Sequence, residues 1–203
     1  MYNPAHFAET RPGFPGELIA RYPLATLITT GQGGLDANHI PMIWVPGGEH
    51  GILRGHVARA NPVWKDASTE ALAVFHGPQH YISPSWYPSK REHGKVVPTW
   101  NYAVVHAHGT VRFPEDPDWL LATVTALTDA AERINPDPWR VTDAPQDYIA
   151  GLLRAIAGVE LTITRIEAKW KASQNRSPAD REGVAAALRE LGADAAAIVS
   201  PST

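Results

Sequence analysis

Residues 99–113 alternate between two kinds of side chain. The odd positions Ala103, Val105, Ala107, Gly109 and Val111 are small or apolar, and the even positions include Trp100, Tyr102, His106 and His108. A sustained period of two is the signature of a β-strand with two unlike faces. The small face suits the interior of a narrow barrel. The aromatic, imidazole-rich face suits a partner or a ligand. A chain organised around such a strand is constrained to a small, curved sheet.

Its neighbours read the same way. Runs rich in Leu, Ile, Thr and Val at 25–30 and 37–45 flank Gly31-Gln32-Gly33-Gly34, a strand pair joined by a turn. A turn at Pro46-Gly47-Gly48 leads to a third strand at 51–57. Further strands are expected at 71–76, 80–86 and 158–167, the last with a bulge where its alternation breaks at Ile166. With 16 Gly and 18 Pro among 203 residues and only 19% charged side chains, the chain has the turn content of a β fold, not of a helical bundle.

Helices are expected as additions. Asn61-Pro62 opens a short one through Trp64 and Ala67. Asp116-Pro117 caps one in which Leu120, Val124, Leu127 and Ala131 share a face, and a second near 146–156 completes an insertion over about 116–156. Ser177-Pro178-Ala179-Asp180 starts a C-terminal helix over about 178–191, closed by Gly192. The fold class is therefore mainly β with added helices, a β-barrel of the α+β kind, in one domain covering 1–203.

Cysteine is absent, which excludes disulfides, thiolate metal sites, iron–sulfur clusters and a cysteine nucleophile. No run of about 18 apolar residues appears, and residues 1–10 lack the order of a signal peptide, so the expected location is the cytoplasm, with no membrane partner. The net charge of −3 provides no overall attraction to a phosphate backbone.

One stretch could seat an anion. In residues 55–62 (GHVARANP) a strand ends, Arg59 follows, and a helix begins, so a guanidinium stands beside free helix N–H groups. Arg at a strand end is ordinarily a solvated charge, and Pro62 removes one donor. Glycine signatures of Rossmann and P-loop nucleotide sites are absent, as is Gly-x-Ser-x-Gly.

Four segments are long and unusual in composition: residues 1–7 (MYNPAHF), 77–87 (GPQHYISPSWY), 97–102 (VPTWNY) and 169–175 (KWKASQN). Together they resemble the PaiB family, described as flavin mononucleotide (FMN)-binding negative transcriptional regulators. The resemblance spans residues 1 to about 192. It implies an FMN-binding split barrel related in fold to the pyridoxamine phosphate oxidase group, working as a homodimer with flavin at the interface. It further implies that Gly55, His56, Arg59 and Asn61 grip the flavin phosphate and that the strand of His39 and Pro41 lies along the isoalloxazine ring. Tyr81, Ser83, Trp100 and Asn101 would line the pocket, and Lys171, Ser173 and Gln174 would close it from the other subunit.

Other assignments compete. His106 and His108 share a strand face and could bind metal with another histidine, but interface histidines are the simpler reading and no metal is expected. Trp86, Trp100 and Trp170 lie inside the family segments, whereas other tryptophans read as core. Residues 90–95 read as an exposed loop. As to function, a flavin-dependent regulator, with DNA as partner but no visible reading helix, stands beside an FMN-dependent oxidoreductase acting on a small aromatic or phosphorylated substrate. A haem-degrading split barrel is a third possibility. No catalytic residue is assigned, because the flavin itself carries the hydride chemistry.

Overall fold

The computed structural model describes residues 1–199. Seven strands are hydrogen-bonded in the order β2-β1-β5-β6-β7-β4-β3: β1 (Leu24–Gly31), β2 (Gly34–Pro41), β3 (Ile43–Val45), β4 (Ile52–Ala58), β5 (Glu70–Ile82), β6 (Thr99–Arg112) and β7 (Ile156–Lys171). Helices α1 (Phe14–Arg21), α2 (Val63–Asp66), α3 (Ser89–His93), α4 (Pro117–Glu132), α5 (Gln146–Leu153), α6 (Pro178–Glu190) and α7 (Ala193–Ala196) are additions before, between and after the strands. The described residues form two compact units, a central one of residues 15–75 and 106–166 and a terminal one of residues 1–14, 76–105 and 167 onward.

In the central unit, β4 pairs antiparallel with β7, setting Leu53 opposite Leu161, Gly55 opposite Val159 and Val57 opposite Ala157. These inward residues are buried, and Arg54, His56 and Ala58 alternate to the other side. The run expected as one strand over 37–45 breaks at Met42. That residue is fully buried and donates its N–H to the Pro23 carbonyl, so β2 and β3 are separate strands. The broken segment crosses β4 at Gly55, where a Cβ would lie 2.7 Å from the Pro41 carbonyl oxygen. Glycine is therefore required there by the close approach of two backbones.

Three further expectations are corrected. The strands expected at 71–76 and 80–86 are largely one: β5 continues through Gly77-Pro78 to Ile82 before a 3-10 turn at Pro84–Trp86. The β1–β5 register runs only from Ala71 to Phe75, so the N–H that Pro78 lacks is missed by no bond to β1. Residues 90–95 are not simply a loop, because α3 supplies a turn of helix closed by Gly94. Glu160, which the sequence sets in alternation against Val159, Leu161 and Ile163, is buried like them. Arg54 Nε at 2.8 Å and Arg112 Nε at 2.7 Å bind one carboxylate oxygen each, and this pairing permits burial of the charge. The sequence also gave no sign of α1, which buries Leu18 and Ile19.

The odd positions of β6 from Ala103 to Val111 are buried as the sequence indicates, Asn101 is buried with them, and Trp100, Tyr102, His106 and His108 stay at least partly exposed. The helices expected at 116–156 and 178–191 are present as α4, α5 and α6. Asp116 and Ser177 cap α4 and α6, accepting the N–H groups of Trp119 and Asp180 respectively. In the terminal unit, residues 7–9 pair with β7, Trp170 donating to the Phe7 carbonyl and Glu9 to that of Ala168. The Asp180 carboxylate accepts the Ser89 N–H and hydroxyl, fastening α6 to α3. No helix among the described residues is long and apolar enough to cross a membrane.

Candidate functional site

Six of the residues singled out from the sequence lie in the central unit: His39, Pro41, Gly55, His56, Arg59 and Asn61. Pro41 and Gly55 meet at the crossing of β2–β3 over β4. Asn61 joins them to β2 by donating to Asn38 Oδ1 at 2.5 Å, and Asn38 in turn donates to Asp36. His39 Nδ1 shares a 3.1 Å hydrogen bond with the Thr26 hydroxyl across the β1–β2 pair.

Arg59 leaves β4 and is held three ways. Its Nε donates to the Arg154 carbonyl at 3.0 Å, its Nη1 to Glu115 at 2.5 Å, and its guanidinium lies over the Trp64 ring. The Trp64 indole N–H closes the loop by donating to the Arg59 carbonyl. The helix expected after Asn61-Pro62 is present as α2, but it is not the anion seat expected beside Arg59. Helix α2 is a single four-residue turn, and its first N–H, that of Val63, is already taken by Asn61 Oδ1 at 2.9 Å. So short a helix sums too few peptide dipoles to attract an anion. What this corner offers instead is side-chain chemistry.

His56 projects from the outer side of β4, and its Nδ1 is buried without a hydrogen-bond partner. Burial lowers the pKa of its imidazole below the usual histidine value, so the ring is held neutral. Unfolding frees it to protonate. The stability it contributes is thus present above pH of about 6.5 and is lost as pH falls from there through the lowered folded-state pKa. In urea titrations at pH 7.5 and 5.5, the parent is expected to lose more stability between the two than His56→Gln does. Equal losses would show that burial of this ring carries no such linkage.

The remaining seven lie in the terminal unit. Trp100 and Tyr81, 48% and 44% exposed, stand edge to face with centroids 6.1 Å apart, and the Trp100 indole N–H donates to Gln79 Oε1. Lys171 Nζ donates to the Thr99 hydroxyl and the Trp100 carbonyl, both at 2.5 Å. Burial, reinforced by Lys169 and Arg176, lowers its pKa. Asn101 donates to the Ser173 hydroxyl inside the unit, beneath a turn in which Ser173 takes a left-handed φ of 64°. Gln174 spans that turn, accepting from the Ala172 N–H and donating to the Trp170 carbonyl. Ser83 is the exception: its hydroxyl accepts the Ser85 N–H as cap of the 3-10 turn and joins none of the others.

Sequence reasoning passed over Asn38, Gln79, Lys169 and Arg176. Gln79 and Lys169 sit inside family segments already quoted. The Lys-x-Lys spacing on a strand, which sends both side chains the same way, was the available signal for Lys169.

Residues 1–165 match the family model described as "Putative FMN-binding domain". The protease synthase and sporulation protein PAI 2 of Bacillus subtilis is 32% identical, over 89% of this chain and 85% of its own. The chain belongs to this FMN-binding, PaiB-type family. FMN is accordingly its cofactor. An uncharacterised protein of Emericella nidulans is 34% identical over 96% of this chain and 93% of its own length. Among solved structures, the FAD and heme binding protein of Mycobacterium smegmatis superposes with a TM-score of 0.59 at 19% identity, covering 88% of this chain and 79% of that one. The likeness establishes for this family member the split-barrel fold, mainly β with added helices.

Proposed function

We propose that the chain works as a homodimeric, FMN-dependent redox protein whose cofactor is held chiefly by the central unit. The observation that carries this reading is a buried His56 Nδ1 that no described residue satisfies, next in sequence to the close backbone crossing of Gly55 and Pro41, with Asn61 tied to β2 through Asn38. A buried polar atom without a partner is the kind of group a ligand completes. The donor set also suits FMN, with a cation for the phosphate and neutral amide and imidazole groups for the polar edge of a planar ring.

Arg59 binds the phosphate, with Asn61 fixing the loop that carries it. The nearby groove of about 310 Å³ lined by Thr29, Gly34, Asp36, Pro62 and Asp66 is a poor phosphate seat, because its two carboxylates repel one. His56, kept neutral, hydrogen-bonds the cofactor without adding charge. Bound FMN supplies hydride transfer. Tyr81, Trp100, Asn101, Lys171, Ser173 and Gln174 close the site from a second protomer, Ser83 contributing only through the turn it caps. The even-numbered residues of β6, too aromatic to be left in water, form part of the dimer contact.

One preparation tests these points together. Freshly purified protein is expected to be yellow, to scatter light as twice the 22.1 kDa chain, and to bleach anaerobically on addition of a reduced nicotinamide. A monomer, or a flavin that no donor bleaches, overturns the respective part.

A regulatory role, carried by the family description, is exerted through this flavin and not by direct reading of DNA. Among the described residues, helix α6 commits Val184, Ala185 and Leu188 to the core and the four-residue α7 comes after it, which is not the layout of a groove-reading helix pair. Gel shifts with promoter fragments at low and moderate salt are expected to show no sequence preference. Salt-resistant, sequence-specific binding would reverse this ranking.

A further inference from the structure

The geometry points to an anion subsite on Lys171, flanked by the exposed Tyr81–Trp100 pair, that takes a planar aromatic anion as substrate. Lys171 Nζ donates to two neutral oxygens, the Thr99 hydroxyl and the Trp100 carbonyl. An ammonium has three donors, so one remains for a ligand. Among the described residues no carboxylate pairs with Lys171, and the charges of Lys169 and Arg176 that act on it are both positive.

The surrounding cations are fixed in place. Lys169 is buried, donates to the Tyr2 carbonyl and has its ammonium 5.2 Å from the Tyr102 ring centroid. Arg176 lies over the Tyr87 ring at 4.9 Å. Both add to the local positive potential without leaving their stations. An anion reaching Lys171 therefore gains from three cations while displacing no ion pair of that lysine.

The aromatic half of the subsite follows from the same contacts. Because Lys171 sits on the Trp100 backbone, its ammonium is tied to the residue that carries the exposed indole. Gln79 holds that indole by its N–H, and Tyr81 stands against it. Two half-exposed rings with fixed orientation offer a stacking surface at little entropic cost. An aromatic carboxylate of modest size can lay its ring there and direct its charge to the third N–H of Lys171.

The inference rests on the flavoprotein reading only in calling the ligand a substrate; the anion site itself is independent of FMN. The probe is 2-naphthoate, with 2-naphthamide as its neutral counterpart, titrated by calorimetry into both apo-protein and FMN-loaded protein. The parent is expected to prefer naphthoate in both forms. Lys171→Gln lowers naphthoate affinity about tenfold, the loss of one charge-assisted hydrogen bond, and leaves naphthamide unchanged. Lys171→Arg restores the preference. Trp100→Ala, at a half-exposed position, lowers both ligands by about two- to tenfold.

Equal binding of naphthoate and naphthamide to the parent overturns the proposal, as does a preference that survives in Lys171→Gln. Displacement of naphthoate by FMN also overturns it, by making the third N–H of Lys171 a contact of the cofactor itself and not of a substrate beside it. If no FMN binds at all, the apo-protein titrations still decide the anion site, so the two failures are separable.

Discussion

Arg59→Ala is expected to weaken FMN binding by about 10- to 150-fold, the range set by losing a charge-assisted hydrogen bond of roughly 1.5–3 kcal/mol. Riboflavin, which lacks the phosphate, should bind the variant as it binds the parent. The comparison matters because Arg59 is also structural here, bound to the Arg154 carbonyl and to Glu115. A variant whose pocket is merely damaged would lose both ligands alike.

Glu115 sharpens the test. Its carboxylate neutralises part of the guanidinium charge and would repel an incoming phosphate. Glu115→Gln is therefore expected to strengthen FMN binding by about 1.5- to 5-fold, corresponding to an exposed ion pair worth roughly 0.2–1 kcal/mol. Fluorescence quenching of FMN measures both variants. A folded Arg59→Ala protein that binds FMN like the parent shows that the Glu115 pair is the whole task of this arginine.

The second large effect is on stability. Gly109 lies on the buried face of β6, where a Cβ would meet the Thr162 backbone oxygen at 2.0 Å and Leu161 Cδ2 at 2.8 Å. The Thr162 carbonyl belongs to β7, which the β4 ladder holds through the Ile52–Thr162 register, so it has little freedom to retreat. Overpacking against backbone falls at or beyond the upper end of the usual cost, and Gly109→Ala is expected to lose at least about 3 kcal/mol. For a chain of this length that lowers Tm by about 6–12 °C. Gly33, whose Cβ would meet nothing within 4 Å, is the control, and Gly33→Ala is expected to change stability by less than about 0.5 kcal/mol. Thermal unfolding followed by circular dichroism distinguishes them. Equal Tm values for the two variants would mean that β6 and β7 can separate at no cost.

The sequence by itself determined the strands that alternate, the helices that carry their own caps and the family. The period of two in residues 99–113 marked the buried face of β6 from Ala103 to Val111, because side-chain direction on a strand is a local property. Asp116 and Ser177 marked the starts of α4 and α6 for the same reason, since a cap is made within a few residues of its helix. The long segments at 77–87 and 169–175 carried the family, and with it FMN.

Tertiary structure alone decided what each polar group faces. Glu160 alternates with the apolar Val159 and Leu161, yet Arg54 from β4 and Arg112 from β6 allow it to be buried too, and no pattern within β7 encodes partners 106 and 48 positions away. The strand-to-helix step at Asn61 looked like a dipole-based anion seat, but the helix lasts one turn and its free N–H is spent on Asn61 itself. Arg59 meets Glu115, and Lys171 meets Thr99 and Trp100, across long sequence separations. Hydrogen-bond partners depend on which chain segments the fold brings within about 3 Å, a distance set by packing of the whole sheet and not by any local run of residues.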